Sequence, residues 1–483
     1  MGETPCFKYV GRYIREALSK MKILLINPPQ RTKCPQPPLG LAMVAAVLEK
    51  NTDSVQILDL TVLGISNESL RLRIQQEKPD IVGITAMTPT INSALRVAKN
   101  VKEVDKEIIV ILGGAHATLL PGETLHDSPD IDLIVCGEGE QTTPEVIATL
   151  KEDAGSLRQV PGVAYREGSE TRINPLRPPI LDLDSLPFPA FHLLPMGKYR
   201  LHPPFGRKTP IMPIITSRGC PYRCVFCSKS VFGHRYRSNS AVYVANQIQF
   251  LIEKFGIREV KFYDDSFTLN KKRVIDICTL LKQQQLDIPW TCETRVDLVD
   301  RDLLKIMMDA GCYMIEYGVE SGNQLILDNL KKDTTLDQTV KTFKWTHEAG
   351  IETVAYFMIG SPGETLESIR ESIEFAKKLD PDFVQFSVAT PYPGTELYRM
   401  SLEEGCMPGQ WDRYVYADLK PVDNPVFGTK NLNKEELRKW NKRAYTSFYL
   451  RRSYALKRLA RMTTSGELRT NVAGLRMLID LVK

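Results

Sequence analysis

Two successive series of short apolar, β-branched runs, each run followed by a stretch with helical apolar spacing, restrict this chain to an α/β fold built on parallel sheets. The runs of the first series are KILLIN (22–27), VQILDL (55–60), DIVGITA (80–86), IIVILGG (108–114) and LIVCGEG (133–139). Between them lie LGLAMVAAVLEK and INSALRVAKNVKEV, whose apolar residues recur at helical intervals. Parallel neighbours cannot be joined by a tight turn, so helices must cross over and cover both faces of the sheet. Residues 21–150 are therefore expected to form a doubly wound parallel sheet. Ligands of such sheets sit beyond the carboxyl ends of the strands. Those ends carry Asn27-Pro28-Pro29, Thr85-Ala86-Met87-Thr88, Gly113-Gly114-Ala115-His116 and Gly137-Glu138-Gly139-Glu140.

A proline-rich stretch, NPLRPPILDLDSLPFPAFHLLP (174–195), interrupts the alternation, and its prolines favour an extended connector over a helix. The second series follows with IMPIIT (211–216), VKFYDD (260–265), WTCETR (290–295), YMIEYGV (313–319), TVAYFMIG (353–360) and FVQFSV (383–388). Six βα units are too few for a closed eight-stranded barrel, so an open, partial (β/α)6 TIM-type barrel is expected, with chemistry at the ends of its strands. The segment after about 400 reads as helical. The expected division is an extension (1–20), the first domain (21–150), a linker (151–205), the barrel (206–405) and a helical basic region (406–483).

The 483 residues, 43% hydrophobic and 25% charged, suffice for several large cores. No run approaches the length of a membrane-spanning helix, and the first twenty residues do not read as a secretory signal. Ten cysteines without such a signal point to reduced thiols in a cytoplasm. The net charge of +5 is uneven: residues 434–483 hold 13 Lys/Arg against 4 Asp/Glu, a local +9.

Three of the cysteines, Cys220, Cys224 and Cys227, fall within eight positions of TSRGCPYRCVFCSKS, directly after the first barrel strand. Thiolate is a soft ligand that suits zinc or an iron–sulfur cluster. A structural zinc site needs a fourth protein ligand, which here would have to be distant, such as His234. Three thiolates on a four-iron cubane instead leave one iron open to a small molecule. The remaining cysteines are scattered and read as small core residues.

This loop, as C-x-x-x-C-x-x-C, resembles the signature of the radical S-adenosylmethionine (SAM) enzymes. FYDDSFT (262–268), TRVDLVD (294–300), YGVESGNQLILDNLKKDTT (317–335), FMIGSPGETLESI (357–369) and PYPGTELY (391–398) are similar to the later strand-end motifs of that family. The resemblance implies a 4Fe–4S cluster on Cys220, Cys224 and Cys227, with SAM chelating the fourth iron. Single-electron cleavage of SAM would give methionine and a 5′-deoxyadenosyl radical that abstracts hydrogen from carbon. SAM requires acceptors for its ammonium and ribose and a donor for its carboxylate. Asp264 and Asp265, Arg295, and Glu320 with Ser321 supply these at successive strand ends. The plainer alternatives are that Asp265 caps the next helix and that Arg295 pairs with Asp297 or Asp300.

A flavodoxin-like sheet ahead of such a barrel resembles the cobalamin-binding branch of the family, the branch of hopanoid methylase and anaerobic magnesium-protoporphyrin monomethyl ester cyclase. In it the nucleotide tail of the corrin would enter at the strand ends, with Thr85 and Thr88 as hydrogen-bonding groups and Gly113, Gly114 and Gly139 allowing close approach. The loop NPPQRTKCPQ (27–36) lacks the histidine of D-x-H-x-x-G, so cobalt is not expected to be held from there, and His116 reads as a polar strand-end residue. A first domain that binds nothing is the alternative.

Together the resemblances imply a cobalamin-dependent methyltransferase acting on an unactivated carbon of a lipid or other small molecule. Oxidative ring closure on a tetrapyrrole or lipid is the second reading. Methylthiotransfer and a sensor without turnover rank below both. An external electron donor such as flavodoxin or ferredoxin is implied. The basic, tyrosine-bearing helix RAYTSFYLRRSYALKRLARM suits peripheral contact with an anionic membrane or simple packing on the barrel, and nucleic acid is not the expected partner.

Overall fold

The computed structural model describes residues 21–30, 32, 34–52, 54–152, 154–199, 206–406, 414 and 428–460. The expected N-terminal extension and the end of the basic region lie outside them. The chain divides into two compact units. One comprises the described residues of Met1–Tyr199, Lys229–Gly233 and Gln410–Tyr416, and the other takes the rest.

In the first unit β1 (Ile23–Asn27), β2 (Val55–Asp59), β3 (Ile81–Thr85), β4 (Ile109–Gly113) and β5 (Leu133–Val135) form a parallel sheet in the order β2-β1-β3-β4-β5. Period-two alternation sorts its side chains onto two cores. Leu24 and Ile26 share one with α2 (Asn67–Glu77) and α3 (Ile91–Val104), through Leu70, Ile74, Ala94 and Val97. Ile23 and Leu25 share the other with α1 (Leu39–Leu48) and α6 (Gly139–Glu152), through Leu41, Ala45, Val146 and Ile147. Two short helices, α4 (Ala115–Leu119) and α5 (Pro121–Asp127), separate β4 from β5.

The sheet continues where a linker was expected. β6 (Val163–Glu167) pairs antiparallel with β5, and β7 (Glu170–Ile173) with β6. Asn174 then fastens the chain back, donating from Nδ2 to the carbonyls of Leu157 (2.7 Å) and Val160 (2.8 Å). The extended connector is thus narrower than 151–205.

In the second unit β8 (Ile211–Ile214), β11 (Glu259–Phe262), β12 (Trp290–Arg295), β13 (Cys312–Glu320), β14 (Glu352–Ile359) and β15 (Phe383–Val388) form one parallel, curled six-stranded sheet in that order, an open half-barrel as expected. The intervening helices are α7 (Ala241–Phe255), α8 (Lys271–Gln283), α9 (Arg301–Asp309), α10 (Gln324–Asn329), α11 (Leu336–Glu348) and α12 (Leu366–Leu379), followed by α13 (Glu396–Glu403). The hairpin β9 (Ser217–Arg218) and β10 (Arg237–Ser238) closes the base of the cysteine loop. Side-chain caps start most of these helices, Ser240, Asn270, Asp300 and Thr365 each accepting from the third backbone N–H onward.

An open sheet edge would leave a row of unpaired backbone groups. α14 (Lys434–Tyr449) and α15 (Arg452–Ala460) cover the β15 edge. The Tyr449 hydroxyl accepts from Val384 N (2.9 Å) and donates to Val384 O (2.8 Å), and the Tyr445 hydroxyl accepts from Phe386 N (3.1 Å). Asn441 donates to Phe386 O (2.9 Å), and the Tyr454 hydroxyl to Asp382 O (3.0 Å). The interleaved tyrosines of the basic tail therefore serve packing on the barrel.

Candidate active site

The cysteine loop is pinned at its middle and at its base. Val225, between the second and third cysteines, is buried with Ile326, Leu330, Met358, Ala389 and Leu397. Its N–H donates to Leu330 O (3.1 Å) and its carbonyl accepts from Leu397 N (2.9 Å). At the base, Asp264 accepts from Thr216 N (2.5 Å), Thr216 Oγ1 (2.7 Å) and Ser217 N (3.1 Å). Arg273 of α8 closes this knot, donating to Thr216 O (2.9 Å) and Asn239 O (2.7 Å). Asp264 is 1% exposed, so it positions the loop from within and is not open to a ligand. Asp265, beside it, is exposed at the strand mouth. The cap of α8 is Asn270, not Asp265.

Cys220, Cys224 and Cys227 are all half-exposed, whereas Cys136, Cys278, Cys292 and Cys312 are buried, as core residues should be. The Cys224 thiol is pulled down to about 6, first by its hydrogen bond with Cys227, against burial, and then by the nearby charges of Lys332 and Arg295. Arg295 brings Nη1 to 3.9 Å from Cys224 Sγ and stacks its guanidinium 3.6 Å over the Tyr222 ring. It also pairs with Asp297 (2.9 Å), as the plainer reading had it, and donates to Lys332 O (2.7 Å).

Lys332 is the site residue that sequence reasoning missed. It lies in the loop after α10, is 5% exposed, and sets Nζ 2.6 Å from Glu320 Oε1. Glu320 adopts φ +66° just past a bulge in β13, which turns its carboxylate toward that ammonium. Its neighbour Ser321 is fully buried and hydrogen-bonded to Ser372 (3.1 Å). Gly322 is obligatory for this fit, since a Cβ there would lie 2.5 Å from Phe375 Cβ and 2.7 Å from Ser372 Cα.

These features fit a thiolate-held cluster: accessible thiols, a lowered thiol pKa and two cations beside one sulfur. Among the described residues no three His, Cys, Asp or Glu side chains converge as one ion would require, and His234 completes no zinc tetrad. A cubane does not need that convergence, because each thiolate takes a different iron.

In the first unit the expected residues divide. Thr85 ends β3 half-buried, while Thr88 is buried with Oγ1 3.2 Å from His116 Nδ1. Burial depresses His116 to about 4, so it stays neutral. Gly114, at φ +96°, is demanded by the fold: a Cβ there would lie 2.6 Å from Ala86 O. Gly139 begins α6 against Val44 and Thr143. Gly113 would place a Cβ 3.6 Å from Val135 O, and nothing among the described residues lies within 4 Å of a Cβ on Gly137. After β1, the buried Gln30 Oε1 has no hydrogen-bond partner among the described residues. Open space beside glycine and an orphaned acceptor at the strand ends fit a polar ligand tail. Asn27 is bonded to Asp59 (2.8 Å), and the loop offers no histidine for cobalt.

Residues 214–376 match the Radical SAM superfamily and residues 32–147 the B12 binding domain. An uncharacterized methyltransferase, PH0819, of Pyrococcus horikoshii is 38% identical over 446 residues, covering 90% of this chain and 94% of that one. An anaerobic magnesium-protoporphyrin IX monomethyl ester cyclase of Rubrivivax gelatinosus is 31% identical over 417 residues, 84% of this chain and 74% of that one. A hopanoid C-3 methylase of Methylococcus capsulatus is 28% identical over 366 residues, 74% and 67% of the two chains. Among solved structures, the cobalamin-dependent SAM radical enzyme OxsB, with aqua-cobalamin and SAM bound, superposes with a TM-score of 0.72 at 18% identity over 96% of this chain and 72% of its own.

Proposed function

This chain belongs to the cobalamin-dependent radical SAM methyltransferase family, and we propose that it methylates an unactivated carbon of a small molecule, a lipid being the class that the hopanoid-modifying relative suggests. The observation that carries the reading is a half-exposed cysteine triplet, flanked by Arg295 and Lys332, in a chain that also bears a B12-binding domain. When bound, the cluster, SAM and cobalamin supply single-electron cleavage of SAM, hydrogen abstraction and a transferable methyl group.

The chain's own part is to hold and orient. Cys220, Cys224 and Cys227 would ligate three irons, with Asp264 and Arg273 fixing the loop that carries them. Asp265 and the Glu320–Lys332 pair would meet the amine, ribose and carboxylate of SAM, with Arg295 sharing its charge between Asp297 and the sulfur of Cys224. Thr85, Gly113 and the open space at Gly137 would line the corrin tail. The electron would come from an external donor such as flavodoxin or ferredoxin. A peripheral membrane contact would fall to exposed Arg438, Lys439, Arg443 and Arg452, because the tyrosines are engaged with β15. No helix among the described residues is long and apolar enough to cross a membrane.

The test is anaerobic reconstitution followed by dithionite and SAM labelled in its methyl group. The wild type should form 5′-deoxyadenosine and transfer label to an acceptor, and Cys224→Ala should do neither. Persistent 5′-deoxyadenosine from Cys224→Ala would overturn the assignment of the cluster to this loop. Label-free, ring-closed product would instead favour oxidative cyclisation, the reading that the cyclase relative supports.

A further inference from the structure

The inner face of the half-barrel carries charge at a level where barrels normally hold branched apolar residues. Glu293 and Arg295 are two apart on β12 and so share a face. Trp290 and Cys292 point the other way, Trp290 packing edge-on against Phe262 at 5.3 Å. On the inner face Lys261 of β11 places Nζ 2.7 Å from Glu316 Oε1 of β13 and 3.3 Å from Glu293 Oε1. The Tyr356 hydroxyl of β14 donates to Glu316 Oε2. Lys261 also lies 4.5 Å from the centroid of the Tyr263 ring. Four adjacent strands thus converge on one network that neither the cysteine loop nor the Glu320–Lys332 pair uses.

We propose that this network is a cation-recognition subsite in which Glu293, backed by Lys261, Glu316 and Tyr356, receives a protonated nitrogen of the methyl acceptor. Charge and exposure carry the argument. Among the described residues both carboxylates form their ion pairs with the one ammonium of Lys261, which leaves one negative charge in excess within this trio. Glu316 is the shut member, its side chain 0% exposed and its second oxygen taken by Tyr356, whereas Glu293 keeps 35% of its side chain open. The excess charge therefore resides on the open carboxylate. Burial, with repulsion from Glu316 and Asp265 working against the pull of Lys261, raises Glu293 to about 7. Below about pH 7 a proton offsets the surplus in the free protein, and a cationic ligand would take its place. The ammonium of SAM is not the natural occupant, because Glu293 lies ~6.6 Å further down β12 than Arg295, the residue beside Cys224.

The inference rests on the proposed function only in naming the ligand as the methyl acceptor, and its test requires no turnover. Reconstituted holoenzyme with SAM present is titrated calorimetrically with n-butylammonium, n-butanol and butyrate, three probes of one shape and different charge. Butylammonium should bind, and the other two should bind at least about tenfold more weakly or not at all. Its affinity should fall about tenfold from pH 8 to pH 6, where Glu293 takes up its proton while the probe stays charged. Glu293→Gln should lose the preference for the cation. Should that variant not fold, as judged by its melting temperature, the pH dependence of the wild type decides alone. Equal binding of butyrate or butanol, selectivity that survives Glu293→Gln, or a butylammonium signal seen only in a parallel titration of the SAM-free protein would each overturn the subsite. Selective cation binding by a protein that transfers no label in the labelled-SAM experiment above would count against the methyltransferase reading and leave the subsite standing.

Discussion

Tyr449→Phe tests how the half-barrel ends. Among the described residues β15 pairs only with β14, and along its other edge the Tyr449 hydroxyl is both acceptor for Val384 N and donor to Val384 O. Removing one oxygen therefore strands two backbone groups while the ring keeps its contacts with Phe448 and Tyr454. Each stranded group costs about 1–3 kcal/mol where water is excluded, and Tyr449 is half-buried, so a total of about 2–4 kcal/mol is expected. Tyr445→Phe strands one group, Phe386 N, and should cost about half as much. The assay is guanidinium unfolding of the cluster-free protein by circular dichroism, combined with amide exchange of the 383–388 segment. A 2 kcal/mol loss corresponds to roughly thirtyfold faster exchange. If Tyr445→Phe equals or exceeds Tyr449→Phe, or if neither changes exchange more than about twofold, the hydroxyls do not hold this edge.

Three further outcomes follow from the same geometry. Lys332→Met leaves Glu320 without its buried cation and should cost about 3–5 kcal/mol, with Glu320→Gln in the same chain recovering most of it; melting temperature and iron retained per chain are the readouts. Gly114→Ala forces a side chain onto φ +96° and into Ala86 O, so it should destabilise the first unit by more than about 2 kcal/mol, seen in urea unfolding; a neutral effect would show that the turn is not held as described. His116 takes up its proton near 6.5 when unfolded but only near 4 when folded, so stability of the first unit should be full above about pH 6.5 and fall by roughly 3 kcal/mol as pH drops to 4. His116→Asn should flatten that slope, and an unchanged slope would place the acid sensitivity elsewhere.

Both sheets and the cysteine loop are written locally. β1–β5 and the six barrel strands are apolar runs of the right length between helical stretches, and the triplet of thiols is a spacing within one loop. A reader of the chain alone can recover these because each is set by neighbours a few residues away. β6 and β7 escaped notice because their sequence, VAYREGSETRI, is half polar and exists as sheet only by pairing with the edge at β5.

Side-chain roles were decided only by folding. Asp264 and Asp265 are adjacent in a strand-end motif, yet one is locked under the cysteine loop and the other is exposed at the strand mouth. Lys332 sits in a polar stretch, and nothing local marks it as the buried partner of Glu320. Lys261, Glu293, Glu316 and Tyr356 come from four strands spread over nearly a hundred residues. Period-two spacing gives the face on which each lies but not what stands opposite, because register between parallel strands is fixed by helices and crossovers outside the strands themselves.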